Sequence, residues 1–422
     1  MSALSTRAGV DMPARGTGRR VLIVSHEPAF PPTSGADLRN YRNAVAAAAF
    51  GPVCLASVLP KAIAAAAPDP RIRAEALSIE GEPRTASIGW WRMRAEHRIS
   101  RAALARLEAL ILEFRPDTVV VESIGLFKLL RPLRPLARQL ILDMHNVESD
   151  LSAQMKRAVT TASRLSTVVS APGIRHLERK ALALVDRVWV CSNEDRERLM
   201  ALAGRKMPID VVPNGIPNVE AIPAVLPAEP PTDSGFPVIL FIGHLGYPPN
   251  VDAAGRLARA ILPRIGQALP GAKLVLAGRG PNPAVQALAG LPDVELVENP
   301  ESVAPLLCGA HLSIIPLRAG GGTRIKILEA MAWGVPVIAT PLAAEGLGLI
   351  ENDQVLLSAS DERLADMAVD LCLDAERRIR QRLRAHQAVW ARFGPQAIRD
   401  AVRAGLALDN DGNDDQPSPV TP

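Results

Sequence analysis

Aromatic side chains are scarce in this chain of 422 residues, at 3% of the sequence. Proteins that bind single-stranded nucleic acid stack the bases on aromatic rings, so this scarcity argues against that class. The charges are also nearly balanced, with 48 lysines and arginines against 44 aspartates and glutamates, and give no basis for a nucleic-acid partner. No run of 18 apolar residues occurs, so the sequence predicts no membrane-spanning helix.

Cysteine is also rare, and the four cysteines never have the C-x-x-C spacing of redox or zinc sites. All four lie in apolar runs: Cys54, Cys191, Cys308 and Cys372. We therefore expect them to be reduced core residues, which favours a cytoplasmic location. Residues 1–19 are polar and basic without an apolar core, which predicts a disordered leader rather than a signal peptide.

Hydrophobic residues make up 48% of the chain, enough for two globular domains of ordinary size. Apolar strand patterns alternate with helical ones, which predicts parallel sheets and an α/β fold. Six prolines between residues 217 and 237 predict a linker between an N-terminal domain, 20–216, and a C-terminal domain, 238–385. A terminal helix over 386–408 and a disordered acidic tail over 409–422 complete the predicted organisation.

Eleven short apolar runs predict the strands. In the first half they are Val21–Ser25, Val53–Leu59, Asp117–Glu122, Gln139–Asp143, Arg187–Cys191 and Ile209–Val212. In the second half they are Val238–Ile242, Lys273–Ala277, Val294–Leu296, Leu312–Pro316 and Val335–Thr340. The order of strand, loop and helix predicts two Rossmann-like, doubly wound domains facing a cleft, although the dinucleotide fingerprint G-x-G-x-x-G is missing after the first strand.

The stretch from Ile314 to Thr340 is the most informative, because three glycines lie between a predicted strand and a helix over Thr323–Trp333. Glycines let the backbone approach a ligand, and the helix start offers unpaired N–H groups, so the junction suits a phosphate. Arg324 and Lys326 add positive charge there, and the Glu329 carboxylate suits a pair of sugar hydroxyls. The alternative is a glycine-rich loop before a solvated, charged helix.

This stretch, G-G-G-T-R-I-K-I-L-E-A-M-A-W-G-V-P-V-I-A-T, with Glu345-Gly346-Leu347 after it, resembles the nucleotide-sugar site of the large retaining GT-B glycosyltransferase family. That family usually carries an E-x7-E motif. Glu329 matches the second glutamate, which binds the donor ribose, whereas the first would fall at Gly321 and is absent. The resemblance implies that Gly320, Gly321, Gly322 and Thr323 hold the diphosphate.

The resemblance extends to the loop after Ile242. Family members often carry an arginine and a lysine there that bind the diphosphate, but this chain has His244, after Gly243, and Pro249. Phosphate charge would then be neutralised by backbone N–H groups, Arg324, Lys326 and Arg279. Arg279 is equally well explained as an exposed loop residue.

Three further segments match the family in the first half. His145 follows a strand and matches a histidine beside the transferred sugar, which implies that it orients the sugar and steadies charge. Gly35 matches a glycine that faces donor and acceptor, and Asn214-Gly215 matches a turn at the cleft between the domains. The plain alternatives are a loop histidine that caps a helix for His145 and a turn glycine for Gly35.

The resemblance implies transfer of a sugar from a nucleotide-diphosphate sugar to a saccharide or lipid-linked saccharide, in cell-surface or exopolysaccharide glycan assembly. It also implies retention of anomeric configuration by a front-face mechanism, with Arg324, Lys326 and His145 in catalytic roles and no cofactor or metal. Two alternatives stay open: a non-catalytic sensor or scaffold that binds the donor, and a sugar-nucleotide epimerase of the same fold. The single D-x-D, at Asp409–Asp411, lies in the acidic tail and is not expected to bind metal.

A basic stretch follows Trp90 and Trp91 and leaves open peripheral contact with the inner face of the cytoplasmic membrane. Its ten cations are Arg92, Arg94, Arg98, Arg101, Arg106, Arg115, Lys128, Arg131, Arg134 and Arg138, opposed by five acids. A solvated, arginine-rich helix explains the same residues without a membrane.

Overall fold

The computed structural model describes residues 18–30, 32, 34–59, 69–78, 99–158, 171–230, 237–321 and 324–408. Several predictions fall outside these ranges: those for the leader up to residue 17, for Trp90, Trp91 and the cations at 92, 94 and 98, for Gly322 and Thr323, and for the acidic tail. Everything below concerns the described residues.

The first half of the chain forms a sheet of seven parallel strands, which we call the N-domain with its helices. In chain order the strands are β1 (Val21–Ser25), β2 (Val53–Ser57), β3 (Ile72–Ala76), β4 (Thr118–Glu122), β5 (Gln139–Met144), β6 (Arg187–Val190) and β7 (Ile209–Val211). The helices are α1 (Gly35–Ala47), α2 (Arg101–Phe114), α3 (Phe127–Leu133), α4 (Glu148–Ala158), α5 (Ala171–Leu182) and α6 (Asn193–Ala203). The strand order is β3-β2-β1-β4-β5-β6-β7.

The second half forms a sheet of six strands, which we call the C-domain with its helices. Its strands are β8 (Val238–Ile242), β9 (Lys273–Gly278), β10 (Val294–Glu298), β11 (Leu312–Ile315), β12 (Val337–Ala339) and β13 (Leu356–Leu357). The helices of this half of the chain are α7 (Pro248–Arg256), α8 (Leu262–Ala268), α9 (Pro283–Gln286), α10 (Ala304–Cys308), α11 (Ile325–Ala332), α12 (Pro341–Ala344), α13 (Asp361–Leu373), α14 (Ala375–Phe393) and α15 (Pro395–Gly405), of which α15 packs on the N-domain. The order β10-β9-β8-β11-β12-β13, all parallel, confirms the prediction of two doubly wound α/β units.

Helix ends follow the local sequence. The Ser34 side chain accepts a hydrogen bond from the Asp37 N–H, and the Asp37 carboxylate accepts one from the Ser34 N–H, so a capping box fixes the start of α1. Gly334 follows α11 with φ of +77°, a left-handed conformation that glycine adopts readily after a helix. These two features fix one end each of α1 and α11, the helices whose first turns line the cleft described below.

The predicted terminal helix over 386–408 differs from the structure, which divides this stretch at Gly394. Before the break, Val389 and Phe393 of α14 are buried in the C-domain core. After it, Ile398 and Val402 of α15 are buried in the N-domain core. Pro395 cannot continue the hydrogen bonding of α14, so the chain turns there and crosses to the other domain.

Two other predictions differ in detail. Cys54, Cys191 and Cys372 are buried as expected, but Cys308 is exposed at the end of α10. The proline-rich segment after residue 216 is not only a spacer, because it forms a 3-10 turn, Val219–Ala221, and buries Ile222 in the C-domain core.

None of the described helices combines the length and the apolar composition that crossing a bilayer requires. Two cations of the described part of the basic stretch form ion pairs: Arg134 lies 2.6 Å from Asp186, and Arg138 lies 3.6 Å from Asp117. Such exposed pairs leave less free positive charge on this face than the sequence count indicates.

Candidate functional site

The strand order of the C-domain places the candidate site. β8 lies between β9 and β11, so the helices that follow β8 and β11 leave on opposite faces and a crevice opens at the carboxyl ends of these strands. Gly243 and His244 follow β8, and the glycine loop follows β11. The two segments that the sequence assigned to the donor site therefore meet at one edge of one sheet.

Two lobes of a cleft occupy this edge. A cavity of about 310 Å³ is lined by Gly320, Gly321, Arg324, Lys326 and Tyr247, among others. A cavity of about 490 Å³ extends beyond it toward Asn218, Arg279 and Trp333. The lobes share Gly35, Ile242, Gly243, His244, Ile325 and Glu329. The cleft thus has a cationic end at the glycine loop and a second end beyond Glu329.

Close backbone contacts shape the floor of the cleft. A Cβ atom on Gly278 would lie 1.7 Å from the carbonyl oxygen of Gly243, and Gly278 has φ of +148°. The β8 and β9 loops can therefore approach each other only because residue 278 is a glycine. A Cβ atom on Gly243 would lie 2.9 Å from Lys326 Nζ, so this glycine also leaves room for the lysine.

Lys326 is the cation best placed for an anionic ligand. Its Nζ donates a hydrogen bond of 2.6 Å to Asn250 Oδ1 and lies 4.4 Å from the centre of the Phe241 ring. Burial, with a smaller contribution from the Arg324 charge, lowers the pKa of Lys326 to about 7. A bound diphosphate would favour the charged form of this lysine.

Arg324 lies at the same end but is turned toward its own loop. Its guanidinium donates to the carbonyl oxygens of Gly320, at 2.6 Å, and Gly321. Burial lowers the pKa of Arg324. In this conformation Arg324 holds the shape of the glycine loop and brings positive charge to the cavity wall.

Glu329 stands where the two lobes join, on α11, one turn beyond Lys326. Burial raises the pKa of Glu329 to about 7, and the nearby Asn218 amide opposes this rise. Asn218 Nδ2 donates to Glu329 Oε1 at 3.4 Å. A carboxylate with oxygen lone pairs facing the cavity can accept two hydroxyl groups.

The remaining donor-side residues are more exposed. His244 is exposed, lines both lobes, and its carbonyl oxygen accepts from Asn250 Nδ2 at 2.9 Å. Arg279 is exposed and lines the larger lobe. Pro249 lies buried in the first turn of α7 and brings no charge to the cleft.

On the N-domain side, Gly35 begins α1 and faces the cleft. A Cβ atom on Gly35 would lie 3.5 Å from Ile325 Cδ1, so the two domains nearly touch there. Asn214 and Gly215 line neither lobe. The Asn214 Oδ1 accepts from Arg39 Nη1 at 3.0 Å, and Gly215 packs against Ile398 and Arg42.

His145 lies between two acids that the sequence analysis did not connect with it. Its Nδ1 is 3.8 Å from Glu122 Oε1, and its Nε2 is 3.9 Å from Asp143 Oδ2. Burial lowers the pKa of His145 to about 4, while burial raises the pKa of Glu122 to about 7. His145 lines neither lobe of the cleft and is neutral at physiological pH.

A buried ion pair supports this region. Arg39 and Asp143 are each about 1% exposed, and Arg39 Nη2 lies 2.6 Å from Asp143 Oδ1. Arg39 also donates to the Val212 carbonyl oxygen at 2.6 Å. The arginine therefore ties α1 to the ends of β5 and β7, and its sequence position on a helix gave no signal of this role.

The domains contact each other around the glycine loop. Arg198 of the N-domain pairs with Glu345 of the C-domain and lies 3.6 Å from Asp150. A Cβ atom on Gly346 would lie 2.9 Å from Ser192 Cβ. Together with Asn250 and Asn218, Arg198 is a site-forming residue that sequence patterns did not single out.

In the described ranges, no group of three histidines, cysteines or acids is arranged to hold a metal ion.

Two family models match the chain. The glycosyl transferase 4-like domain matches residues 53–215, and glycosyl transferases group 1 matches residues 236–374. The first spans most of the N-domain and the second most of the C-domain. Together they cover well over half of the sequence.

A curated relative and several solved structures are also similar. An uncharacterized 44.6 kDa protein in the cps region of Klebsiella pneumoniae is 27% identical over 134 residues, 30% of this chain and only 34% of that relative. Sucrose-phosphate synthase from Thermosynechococcus elongatus has a TM-score of 0.69 at 17% identity and covers 93% of this chain and 98% of its own.

Two more solved structures have the same arrangement of domains. Anabaena HepE in complex with UDP and glucose has a TM-score of 0.64 at 14% identity, covering 92% of this chain and 100% of its own. Staphylococcus aureus TarM has a TM-score of 0.66 at 10% identity, covering 93% and 99%. At these identities the likeness establishes the fold, which is GT-B.

Proposed function

Because the chain belongs to the glycosyl transferases group 1 family, we propose that it transfers a sugar from a nucleotide-diphosphate sugar to a saccharide or lipid-linked saccharide acceptor. Within this proposal the donor lies in the C-domain, the acceptor enters from the N-domain side, and anomeric configuration is retained. The location is the cytoplasm, with the acceptor reached at the inner face of the membrane where it is lipid-linked. Glycan assembly at the cell surface is the proposed pathway, and no metal or cofactor is required.

One observation carries the proposal: Lys326 and Glu329 face one cavity from successive turns of α11. The lysine suits a diphosphate, and the carboxylate suits the hydroxyls of a ribose. The order along the cleft is therefore diphosphate at the glycine loop, ribose at Glu329, and base in the larger lobe. Complexes of Anabaena HepE with UDP and glucose support a nucleotide-sugar donor for a chain of this fold.

The chemistry follows from the leaving group. When the bond between the sugar and the diphosphate breaks, negative charge develops on the diphosphate. Three features would stabilise that charge: Lys326, the glycine loop that Arg324 holds in shape, and the first N–H groups of α11. We propose a front-face reaction in which the acceptor hydroxyl attacks from the side of the leaving group and passes its proton to the departing diphosphate oxygen, with no protein nucleophile. His145, which is uncharged at neutral pH, would orient the sugar by donating or accepting one hydrogen bond.

The test is a thermal-shift screen of the full chain against UDP, GDP, ADP, CDP and TDP, each free and as common sugar conjugates. Binding to the folded state alone raises the unfolding temperature, so one diphosphate family should give a clear shift. The conjugate that shifts is then assayed for release of its nucleotide, with and without saccharide acceptors, and the product anomer is assigned by NMR. An inverted product would refute retention, and no shift with any diphosphate would refute donor binding.

Two substitutions assign roles. Glu329→Ala should weaken binding of the diphosphate nucleoside, and an unchanged affinity would contradict the ribose role. Lys326→Ala should reduce kcat more than it raises the dissociation constant of the donor, because the charge on the leaving group grows in the transition state. Equal effects on both would indicate that Lys326 only holds the ground state.

A donor-binding sensor or scaffold is the second candidate, and the conformation of Arg324 favours it. The guanidinium is engaged with two loop carbonyls, and position 249 supplies a proline rather than a lysine. Fewer cations are then available to a leaving diphosphate than the family pattern provides. Donor binding without nucleotide release, over a panel of acceptors, would establish this function.

An epimerase is favoured by a different observation. The structure places two carboxylates, those of Glu122 and Asp143, on either side of the His145 ring. Asp143 is held by Arg39, which leaves Glu122 as the acid able to exchange a proton. Incubation of the donor in deuterium oxide without acceptor tests this: deuterium on the sugar ring supports epimerisation, and its absence rejects it.

A further inference from the structure

The Asn146 side chain occupies the space beside Gly321. A Cβ atom on Gly321 would lie 2.5 Å from Asn146 Oδ1 and 3.1 Å from Leu151 Cδ2. Both contacting side chains belong to the N-domain, whereas the glycine belongs to the C-domain loop. A side chain at position 321 and the amide of Asn146 therefore compete for one place.

Asn146 is hydrogen-bonded to a half-buried acid. Its Nδ2 donates to Glu148 Oε1 at 3.2 Å, and Glu148 is the first residue of α4. Burial raises the pKa of Glu148, and the Asn146 hydrogen bond opposes the rise. Within the part of the chain that the structure describes, no lysine or arginine lies within ion-pair distance of Glu148. Glu148 therefore keeps hydrogen-bonding capacity that no cation among the described residues uses.

Asn146 lies next to the cationic end of the cleft. Gly320 and Gly321 line both the cavity of about 310 Å³ and a small cavity of about 20 Å³ that Asn146 also lines. Tyr247 lines the larger of these two, and burial together with the Glu148 charge raises the pKa of its phenol. Gly320 and Gly321 do not line the lobe beyond Glu329. Asn146, and Glu148 bonded to it, thus lie on the side of the glycine loop away from the proposed base and ribose.

We propose that Asn146 and Glu148 bind hydroxyl groups of the sugar being transferred, and so help to select it. The proposal rests on the proposed function, because it assumes a donor whose diphosphate lies at the glycine loop. The sugar then extends past the diphosphate, away from Glu329, toward the two N-domain side chains. An amide that donates and accepts, beside a carboxylate that accepts, is suited to a ring with neighbouring hydroxyls.

The position of the pair on the N-domain has a consequence for the family motif. The first glutamate of the family motif would stand at position 321, on the same domain as the phosphate site. In this chain the carboxylate comes instead from Glu148, on the N-domain side of the cleft. The sugar contact therefore forms only when the domains are as close as they are here, with Arg198 paired to Glu345. Binding of the nucleotide diphosphate alone does not need that closure.

Calorimetry distinguishes binding of the transferred sugar from binding of the nucleoside diphosphate. The dissociation constants of UDP, GDP, ADP, CDP and TDP, each free and as its glucose conjugate, are measured for the native chain, Asn146→Ala and Glu148→Gln. Loss of a hydrogen bond to a carboxylate should weaken the conjugate of the preferred nucleotide by about tenfold and leave the free diphosphate unchanged. Glu197→Gln, an exposed acid of α6, is the matched control. Glu148→Gln keeps the size of the side chain but removes its negative charge and one acceptor oxygen, so it tests the role even if Asn146→Ala folds poorly.

Exchanging side chains between positions 321 and 146 tests whether the two residues compete for the same space. Gly321→Glu alone should displace the Asn146 amide and weaken the conjugate, and adding Asn146→Gly should restore affinity to within about threefold of the native chain. Unchanged affinity for the conjugate in Asn146→Ala and Glu148→Gln, while the free diphosphate still binds, would overturn this inference and leave the proposed function standing. If the native chain binds no diphosphate, the proposed function fails and the inference fails with it.

Discussion

Replacing Lys326 with methionine should stabilise the ligand-free protein while removing its response to nucleotide. The buried amine has a pKa of about 7, against 10.5 for an ordinary lysine. Between these values the unfolded chain holds a proton that the folded chain does not, so the free energy of unfolding rises with pH. Below pH 7 the folded protein carries the full cost of a buried charge, and this cost is lost as pH rises toward 10.5.

The magnitude follows from the shift. At 1.36 kcal/mol per pKa unit, a shift from 10.5 to about 7 corresponds to about 5 kcal/mol at pH 6. The substitution also removes the hydrogen bond to Asn250 Oδ1 and leaves that oxygen without its donor, which costs about 1–3 kcal/mol. We therefore expect Lys326→Met to raise the free energy of unfolding by about 2–4 kcal/mol at pH 6, and to lower it slightly at pH 10.

Urea unfolding followed by circular dichroism at pH 6 and pH 10 measures the change in stability. A thermal-shift titration with the preferred nucleoside diphosphate measures the loss of the response to nucleotide. Lys273→Met removes an exposed lysine at the start of β9 and is the control, with neither effect expected. A variant that is destabilised at pH 6 and keeps the native nucleotide shift would refute both the buried charge and its role in binding.

Three further predictions concern residues of the cleft and its support. Glu329→Gln should raise the free energy of unfolding by about 1–3 kcal/mol at pH 8 but not at pH 4, because burial raises the pKa of Glu329 from 4.5 to about 7. The cost of keeping this carboxyl in the folded protein begins as pH rises above 4.5 and is complete above pH 7. Urea titrations at the two pH values measure it, and an equal effect at both would contradict it. Gly278→Ala should destabilise the C-domain by more than about 3 kcal/mol, since the added Cβ atom would lie 1.7 Å from the Gly243 carbonyl oxygen; a native thermal midpoint would show that the loops can separate. Asp143→Leu should cost about 3–5 kcal/mol by leaving the Arg39 charge buried and unpaired, and adding Arg39→Met should recover most of the loss; additive losses in the two variants would contradict the coupling.

The strands that lie inside the sheets were predictable, because strands buried on both faces are continuous apolar runs. β1 and β8 begin and end at the predicted residues. β3 was missed: its sequence, Ile72–Ala76, leaves three of five residues exposed, so it lacks the apolar run on which the prediction depended. An edge strand with one solvated face gives a weak signal in a single sequence.

The donor side of the cleft was also largely predictable, since its residues lie within a few positions of two glycine-containing loops. Lys326 and Glu329 share a cavity because residues three apart on a helix lie on one face. The direction of the Arg324 side chain was not predictable, because it depends on two carbonyls of a loop whose shape the sequence does not specify.

The features of the site that the sequence did not predict are contacts between distant segments of the chain. Arg39 and Asp143 are 104 residues apart, and nothing in either neighbourhood distinguishes a buried arginine from a solvated one. Asn214 was assigned to the cleft by its turn, but its amide is directed to that arginine. The acids beside His145 likewise come from the ends of two neighbouring strands, β4 and β5, and meet only once the sheet is formed.

The crossing of the chain at Gly394 has a consequence for how the protein is made. Ile398, Val402 and Leu406 complete the apolar core of the N-domain, and the Trp189 indole donates to the Gly405 carbonyl oxygen at 3.1 Å. During synthesis the N-domain emerges from the ribosome first, yet its core stays unfinished until α15 has followed the entire C-domain. A fragment of residues 20–216 made alone should therefore aggregate, and supplying α15 as a separate peptide should rescue it.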